Sequence, residues 1–542
     1  MSGCNKNMEV RKRFLKNIRI NIFAIGLCFF VYFLIGLCLF KDYGISTDEP
    51  FERSTMYINI NYIMTQLGRG STDVPALETY EDKYYGMALQ MPTVIFELGD
   101  RGFPFIYTCR HLYTFIICFI GYLAFFWLCK RIFNSNMLGL LGVTMIALYP
   151  RFFAEQFYNI KDLVFVSVFM IAMWATERLI TNKFSWKWVI IFAVISAVAT
   201  NVRIFGIIIM AFAIGYLWIA CILERVYQTK VYDLTWKRAL LISVTMLVLY
   251  MALWIILLPG AWETPIHSMI EMFTDFSDYD WHGKIVFMGK VIEDNQLPWY
   301  YIPVWLLVSL PIWYIVCFLV SGGIAAGKVV SLIKKKKNLL PNMFFDHKYL
   351  TWCAALFLVP WLGIVAINAT MYNAWRHCYF LLPPIVLFIL YGIGFVRKRG
   401  KKGYRIALSI LMIIGIVSQV KWICVNHPHE MVYFNEIGRK YAAGFDRDYW
   451  HMAELQAYQY IVENDNSEKI TLDSSGDQLF LNMLDEESRE RIEISDDPTY
   501  YIETYRGKVG NECEKEGYEE IYSIEVDHFK VASILKKIVE SR

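Results

Sequence analysis

Long apolar stretches constrain this chain more than any other feature, because each is about as long as a helix that crosses a bilayer. Roughly eleven such stretches can be read from the sequence. They lie at about 20–40, 104–129, 137–150, 162–180, 187–201, 204–223, 239–258, 299–320, 350–368, 378–396 and 406–424. Only 19% of the residues are charged, and 56% are hydrophobic. The pattern predicts a polytopic α-helical membrane protein and argues against a large soluble one.

The distribution of basic residues predicts which side of the membrane each loop faces. Cytoplasmic loops are enriched in Lys and Arg, and here alternate loops are basic if the N-terminus is cytoplasmic. The basic segments are Arg11 to Arg19, Lys130-Arg131, Arg178 to Lys187, Arg225 to Arg238, Lys334 to Lys337 and Arg397 to Lys402. The N-terminal segment lacks a small-residue cleavage signature, which indicates a retained helix rather than a signal peptide.

Two domains are expected. Residues 1–424 contain the apolar stretches and a long first external loop at 41–103, whereas residues 425–542 are richer in charge. An odd number of spans places this tail outside the cell. The 12 cysteines form no CxxC pair, so the sequence indicates neither a zinc site nor a disulfide framework.

The tail has mixed secondary-structure signals. Segments 469–472 and 519–526 have the composition of strands, while 451–463 and 529–541 have helix-like spacing. The tail therefore predicts a small α/β domain that packs on the external face.

Two adjacent carboxylates follow the first apolar stretch, in Ser46-Thr47-Asp48-Glu49-Pro50. Pro50 lacks a backbone donor and biases Glu49 toward extended backbone, which would hold both carboxylates near the membrane surface. A base at that place can meet a lipid-linked substrate. The alternative is a solvated turn without a chemical role.

Cations stand at the external ends of several apolar stretches. Charge is costly in hydrocarbon and tends to face a cavity, and Arg and Lys bind phosphate well. The candidates are Arg151, Lys161, Arg203 and Arg376, with Arg110 a weaker one. Each also has a structural interpretation as an interfacial anchor or a snorkelling side chain.

Other motifs are weaker or missing. The segment Asp280-Trp281-His282-Gly283-Lys284 is typical of a loop that stacks an indole on a sugar, although an interfacial tryptophan explains it equally well. His427-Pro428-His429-Glu430 contains closely spaced metal-ligand types without further partners. The chain has no phosphate-binding P-loop, HExxH metal motif or GxSxG nucleophile motif.

Several short motifs follow one another in a recognisable order. They are Asp48-Glu49-Pro50, Pro150-Arg151-Phe152-Phe153, Asn159-Ile160-Lys161-Asp162, Asn201-Val202-Arg203, Leu297-Pro298-Trp299-Tyr300-Tyr301, Trp375-Arg376-His377 with Pro383-Pro384, His427-Pro428, Val432-Tyr433-Phe434-Asn435 and Asp448-Tyr449-Trp450. Together they resemble bacterial members of glycosyltransferase family 39, in the GT-C superfamily. This superfamily includes the related protein O-mannosyltransferases and the aminoarabinose transferases that act on lipid A. The resemblance covers most of residues 40–460.

The resemblance implies a GT-C type fold and a transferase that moves a hexose or pentose from a polyprenyl-phosphate donor, with inversion. It implies Asp48 as the general base and Glu49 as a second candidate or an orienting partner. The implied phosphate-binding residues are Lys161, Arg203 and Arg376, with Arg151 behind them. The implied substrate contacts are Tyr158, Asp162, His377 and Trp281.

The implied partners are the polyprenyl-phosphate sugar, membrane lipid and a glycan, lipid or protein acceptor, with no nucleic acid. The implied location is the plasma (inner) membrane. No metal or other cofactor is assigned, although some GT-C enzymes use a divalent ion.

Two departures from the family pattern put the acceptor in doubt. The first external loop lacks the His-Pro-Pro stretch found in many relatives, and the last 80 or so residues diverge. Two other classes share the general design: a transporter (flippase) for polyprenyl-linked sugars and a non-catalytic envelope-assembly protein.

Overall fold

A bundle of long apolar helices carries a small mixed β-sheet near the C-terminus. The computed structural model describes residues 22–99, 101–277, 283–293, 296–336, 338–367, 369–371, 373–476 and 478–538. The basic N-terminal segment and Trp281, the predicted sugar-stacking residue, lie outside these described residues.

Helices account for most of the described chain. In chain order they are α1 (Ile22–Leu39), α2 (Asp48–Gln66), α3 (Phe103–Phe133), α4 (Asn136–Ala147), α5 (Pro150–Tyr158), α6 (Asp162–Thr181), α7 (Trp186–Val202), α8 (Ile207–Val226), α9 (Trp236–Leu257), α10 (Pro265–Ser277), α11 (Tyr301–Ser309), α12 (Ile312–Lys334), α13 (Leu339–Pro341), α14 (Lys348–Ala366), α15 (Leu382–Arg399), α16 (Lys402–Asn426), α17 (Ala453–Asn464) and α18 (Glu486–Arg491). Short 3₁₀ turns at Ile204–Gly206 and Arg376–Leu381 lead directly into α8 and α15.

Nine helical segments in the described part of the chain are long and apolar enough to cross a membrane. They are α1, α3, α6, α8 with its 3₁₀ turn, α9, α12, α14, α15 with its 3₁₀ turn, and α16. The pair α4 and α5 forms a tenth if counted together, bent by 70° at a break before Pro150. The predicted stretch 187–201 is α7, which at 17 residues is shorter than the roughly 20 that a perpendicular crossing needs. The prediction of a polytopic helical membrane protein is confirmed.

The predicted span at 299–320 is wrong in its bounds. The structure ends α11 at Ser309 and begins a new helix at Ile312. Leu310 is extended, with φ −75° and ψ 137°, because the ring of Pro311 disfavours helical backbone in the preceding residue. The crossing helix is therefore α12, which runs to Lys334.

The expectation of extended backbone at Glu49 is also wrong. Asp48, Glu49 and Pro50 form the first turn of α2. A proline is tolerated there because backbone N–H groups in the first turn have no partner within the helix. The two carboxylates thus lie at a helix N-terminus, where the helix dipole favours negative charge.

The C-terminal sheet contains five strands in the order β4-β3-β5-β7-β6. A separate hairpin between α10 and α11 pairs β1 (Lys284–Phe287) with β2 (Lys290–Glu293). The strands of the sheet are β3 (Ile470–Ser474), β4 (Ile492–Ile494), β5 (Tyr500–Thr504), β6 (Tyr518–Val526) and β7 (Phe529–Lys537). β3 runs parallel to β4 and β5, whereas β7 is antiparallel to β5 and β6. The predicted strands at 469–472 and 519–526 and the predicted small domain are confirmed.

The predicted helix at 529–541 is wrong, because residues Phe529–Lys537 form β7. Asp527 and His528 both have positive φ, 47° and 71°, as a tight turn between two antiparallel strands requires. Pairing with β5 and β6 on both sides then outweighs the local helical spacing.

Phe434 and Asn435 fix the tail to the membrane helices. The Phe434 ring packs against Trp305 on α11 and Phe529 on β7, at centroid distances of 5.9 and 5.8 Å. Asn435 donates from Nδ2 to the carbonyls of Leu307 and Leu310, at 2.6 and 2.7 Å. These contacts hold the sheet against one end of the bundle, beside α11.

Candidate active site

Asp48 lies at the N-terminus of α2 and is the more accessible of the two predicted carboxylates. Its side chain is 38% exposed, and its Oδ2 lies 2.7 Å from Nη1 of Arg376. Arg376 begins the 3₁₀ turn before α15 and has a side chain only 3% exposed. The ion pair joins residues 328 positions apart in the sequence.

Three predicted phosphate-binding cations are brought to this place. Besides Asp48, Arg376 faces Asp162 at 3.7 Å, and Arg203 forms a close ion pair with the same carboxylate. Lys161 lies 2.9 Å from Glu52, one helical turn after Asp48 on α2. We call these three cations and three carboxylates, Asp48, Glu52, Asp162, Lys161, Arg203 and Arg376, the Asp48 cluster.

A local turn explains how Lys161 and Asp162 reach the cluster. The side-chain oxygen of Asn159 accepts from the backbone N–H groups of Lys161 and Asp162, at 3.3 and 2.7 Å. This Asx turn replaces the backbone bonds that α5 loses at its end. Asn159 also donates to Glu155 at 2.7 Å and to Asp162 at 3.2 Å, which orients the Asp162 carboxylate.

The charges around Asp48 control its ionisation. Burial by itself would raise the pKa of this carboxyl, but the charge and hydrogen bond of Arg376 and the charges of Arg203 and Arg506 outweigh it. The pKa of Asp48 therefore lies below its usual value, and the side chain is ionised at neutral pH. An ionised, partly accessible carboxylate is able to accept a proton from a bound hydroxyl.

Glu49 faces the other way, into the protein. Its side chain is only 2% exposed, and it lies 3.1 Å from Nε2 of His111 on α3. The backbone N–H of Ser46 donates to Glu49 at 2.8 Å. These contacts make Glu49 an anchor of the α2 N-terminus and favour Asp48 as the base.

We expect the substitution Glu49→Ala to lower stability by about 1 to 3 kcal/mol, because it leaves the buried His111 ring nitrogen and the Ser46 N–H without their hydrogen-bond partner. The folded fraction of this variant should keep most of the sugar transfer that the family resemblance implies. Thermal unfolding and transfer by the purified protein in detergent measure the two effects. Glu78→Ala, in the same external loop but exposed, is the matched control. Loss of transfer without loss of stability would contradict the anchoring role and return Glu49 to the list of bases.

Arg151 is not brought to the Asp48 cluster. It is fully buried, donates from Nε to the carbonyl of Tyr433 at 3.1 Å, and stacks between Trp305 and Phe434 at 5.3 Å from each ring. Cation–π contacts of this kind stabilise a buried guanidinium. The geometry thus favours a structural role for Arg151 over the predicted contact with phosphate.

The remaining predicted substrate contacts that the structure describes are all buried. Asp162 belongs to the cluster itself, and His377 is buried directly after Arg376. Tyr158 is 1% exposed and packs edge-on against Trp450 at 6.3 Å. Trp450 also receives Arg376 over its indole, 4.5 Å from the ring centroid. The indole that the structure places at the cluster is therefore Trp450, from the tail.

Some residues of the site had escaped prediction from the sequence. Glu52 could have been found from the sequence once α2 was recognised as a helix. It follows Asp48 by four residues and therefore lies on the same face of the helix as Asp48. The Nζ of Lys161 lies 3.5 Å from the ring centroid of Tyr85, for which the sequence carries no signal. Arg110, the weaker predicted candidate, is linked to Glu52 through Gln90: it donates at 2.6 Å to Thr93 and at 3.2 Å to Gln90, which also bonds Glu52.

The His427–Glu430 segment is held by hydrogen bonds and ion pairs within the protein. Nδ1 of His427 lies 2.7 Å from Glu430 and Nε2 lies 3.1 Å from Asp42, while His429 bonds Gln456 at 2.7 Å. Within the described ranges, no group of three or more His, Cys, Asp or Glu residues is arranged to hold a metal ion.

Known proteins resemble this chain in structure but not in sequence. No family model and no curated protein matches it. Among solved structures, it is similar to ArnT from Cupriavidus metallidurans bound to undecaprenyl phosphate, with 12% identity, a TM-score of 0.42 and coverage of 96% of this chain and 98% of that one. For the apo state of the same protein, identity is 12%, the TM-score is 0.44 and the coverages are 89% and 92%. At these values the likeness has no bearing on substrate or mechanism.

Proposed function

We propose that this protein is a membrane glycosyltransferase that moves a sugar from a polyprenyl-phosphate donor to an acceptor hydroxyl at the external membrane face. One observation carries the proposal: Asp48, an accessible and ionised carboxylate, lies 2.7 Å from Arg376, within a cluster that contains two further cations. The order of motifs that resembles glycosyltransferase family 39 supports the same reaction.

In this reaction Asp48 accepts the proton of the acceptor hydroxyl while the hydroxyl oxygen attacks the anomeric carbon. The new glycosidic C–O bond forms as the bond between the anomeric carbon and the phosphate oxygen breaks. The electron pair of the broken bond remains on the polyprenyl phosphate. Attack from the face opposite the leaving group inverts the anomeric centre, and a phosphate leaving group needs no strong acid.

Lys161, Arg203 and Arg376 would stabilise the charge of the departing phosphate. Each is paired with a carboxylate, so the donor phosphate competes with Glu52, Asp162 and Asp48 for these cations. When Arg376 turns from Asp48 to the phosphate, the main influence that lowers the pKa of Asp48 weakens. Donor binding thereby makes Asp48 a stronger base at the moment it is needed.

An apolar path beside α11 supports a polyprenyl chain as part of the donor. A cavity of about 320 Å³ is lined by α11, α12, α14 and α15, with Leu306, Phe318 and Trp361 among its walls. A second cavity, of about 210 Å³, shares Ile302 with the first and extends to Met371. Tyr301, which lines the second cavity, donates to the carbonyl of Ala374 at 2.9 Å, two residues before Arg376, so a chain in these cavities would place its phosphate toward the cluster.

The test is transfer of radiolabel from polyprenyl-phosphate hexoses and pentoses to endogenous acceptors in membranes that contain the full-length protein. We expect labelled acceptor with the protein and none in membranes without it. Movement of the labelled lipid across the bilayer without covalent transfer would identify a transporter instead. If the protein neither transfers sugar from any donor nor moves the lipid across the bilayer, the remaining alternative is a non-catalytic envelope-assembly protein.

A further inference from the structure

Arg506 projects from the C-terminal sheet toward the Asp48 cluster. It follows β5 by two residues, at the same end of the sheet as the carboxyl end of the parallel strand β3. The adjacent Tyr505 is fixed by a hydrogen bond of 2.9 Å between its hydroxyl and Ser533 on β7. The base of the Arg506 side chain is therefore held by the sheet, while the side chain itself stays partly exposed.

A single segment, residues 446–453, connects Arg506 with the cluster. Arg506 donates from Nη1 to Nε2 of His451 at 3.4 Å. The preceding residue, Trp450, lies under Arg376 and accepts from the Thr47 hydroxyl through its carbonyl at 3.4 Å. Arg506 thus contacts His451, and the neighbouring residue Trp450 contacts both Arg376 and the start of α2.

His451 is held in an unusual conformation that aims it at Arg506. Its φ of 58° lies in the left-handed region, which few residues other than glycine adopt, and its side chain is buried. Both oxygens of Asp448 accept from the next two backbone N–H groups, of Met452 and Ala453, at 2.9 and 2.7 Å. These bonds fix the turn that carries His451.

The charge balance of the cluster leaves Arg506 as its surplus cation. Lys161, Arg203 and Arg376 are matched by Glu52, Asp162 and Asp48, so the cluster has no net charge. Arg506 forms no ion pair in the described ranges, and its positive charge acts to lower the pKa of Asp48 and of the buried Asp446. A cation without a counterion attracts an anion more strongly than one that is already paired with a carboxylate.

We propose that Arg506 binds a phosphate or a comparable anionic group of one of the two substrates, and that the C-terminal domain is in this way part of the active site. The proposal rests on the proposed function, since it names a residue of the same site. The anion belongs either to the polyprenyl-phosphate donor or to an anionic acceptor, and the two sources are separable by experiment.

The test compares full-length wild type with Arg506→Gln, Arg506→Lys and the control Lys508→Gln. Lys508 lies two residues further along, is exposed and pairs with Glu503. The first measurement is binding of undecaprenyl phosphate by the purified protein, at several salt concentrations. The second is sugar transfer to endogenous acceptors in membranes, and the third is the melting temperature in detergent.

For a donor phosphate, we expect Arg506→Gln to weaken undecaprenyl phosphate binding about tenfold and to reduce its salt dependence, because one charge-assisted hydrogen bond is lost. For an anionic acceptor, we expect unchanged lipid binding and transfer lowered by about the same factor. In either case Arg506→Lys should restore part of the effect, and Lys508→Gln should behave as wild type.

Binding and transfer like those of wild type in Arg506→Gln would overturn the proposal. A second result would also overturn it: both Arg506→Gln and Arg506→Lys have a lower melting temperature, and Arg506→Lys recovers neither binding nor transfer. A purely structural role for Arg506 predicts that result. Failure of the proposed function has a different signature: wild type would transfer no sugar, while the binding measurement would still decide the role of Arg506 toward polyprenyl phosphate.

Discussion

Sugar transfer by the Asp48→Asn variant is expected to fall by about 10²- to 10⁴-fold, the usual contribution of a general base. Asparagine keeps the shape of the side chain and still suits a helix N-terminus, so α2 should form as before. The substitution also frees Arg376 from its closest counterion, which lies at 2.7 Å. Binding of undecaprenyl phosphate should therefore be unchanged or tighter, while transfer is lost.

Transfer in membranes and lipid binding by the purified protein are measured side by side for this variant. Asp73→Asn is the matched control, because Asp73 is an exposed aspartate of the same external loop. Transfer by Asp48→Asn at the level of the control would eliminate Asp48 as the base. Loss of lipid binding together with transfer would mean that Asp48 organises the site rather than accepting a proton.

The Arg376→Gln variant is expected to lose about 10²- to 10³-fold in transfer, comparable to the removal of one group that stabilises developing charge. It should also bind undecaprenyl phosphate more weakly, unlike Asp48→Asn. Arg376 contacts Asp48, Asp162 and the Trp450 ring, so its loss affects both the base and the phosphate site. Arg405→Gln, an exposed arginine on α16, is the control.

The residual activity of Arg376→Gln should show a shifted pH dependence. Asp48 must be ionised to accept a proton, so activity is present above its pKa and is lost as the pH falls through it. Arg376 is the main charge that lowers this pKa. Its removal should move the acid limb of the pH–rate profile to higher pH, and Arg376→Lys should move it less. An unshifted acid limb would show that the group titrating in that limb is not Asp48.

Local sequence patterns predicted most of the helices and two strands of the C-terminal sheet, β3 and β6. They failed where distant pairing decides the outcome, as in β7, whose helix-like spacing is overridden by pairing with β5 and β6. They also failed at Pro50, whose effect on the preceding residue is opposed by the stability of the first turn of α2.

The candidate site was predictable only in part. Asp48, Lys161, Arg203 and Arg376 were found because charges at the ends of apolar stretches are few and therefore conspicuous. The separate roles of Asp48 and Glu49 were not predictable, because adjacent residues at a helix start point in different directions, one toward Arg376 and the other toward His111. The position of Arg151 was not predictable either. The sequence grouped it with the phosphate-binding cations, but the fold encloses it between Trp305 and Phe434, which are distant in the chain.

The sequence by itself determined that the chain is a polytopic membrane protein, since the cost of placing polar groups in lipid can be read one stretch at a time. Only the tertiary structure decided which charges meet. The ion pair of Asp48 and Arg376 spans 328 residues, and Arg506 comes from a different domain. Such pairings depend on the packing of helices and strands far apart in the chain, which no local pattern encodes.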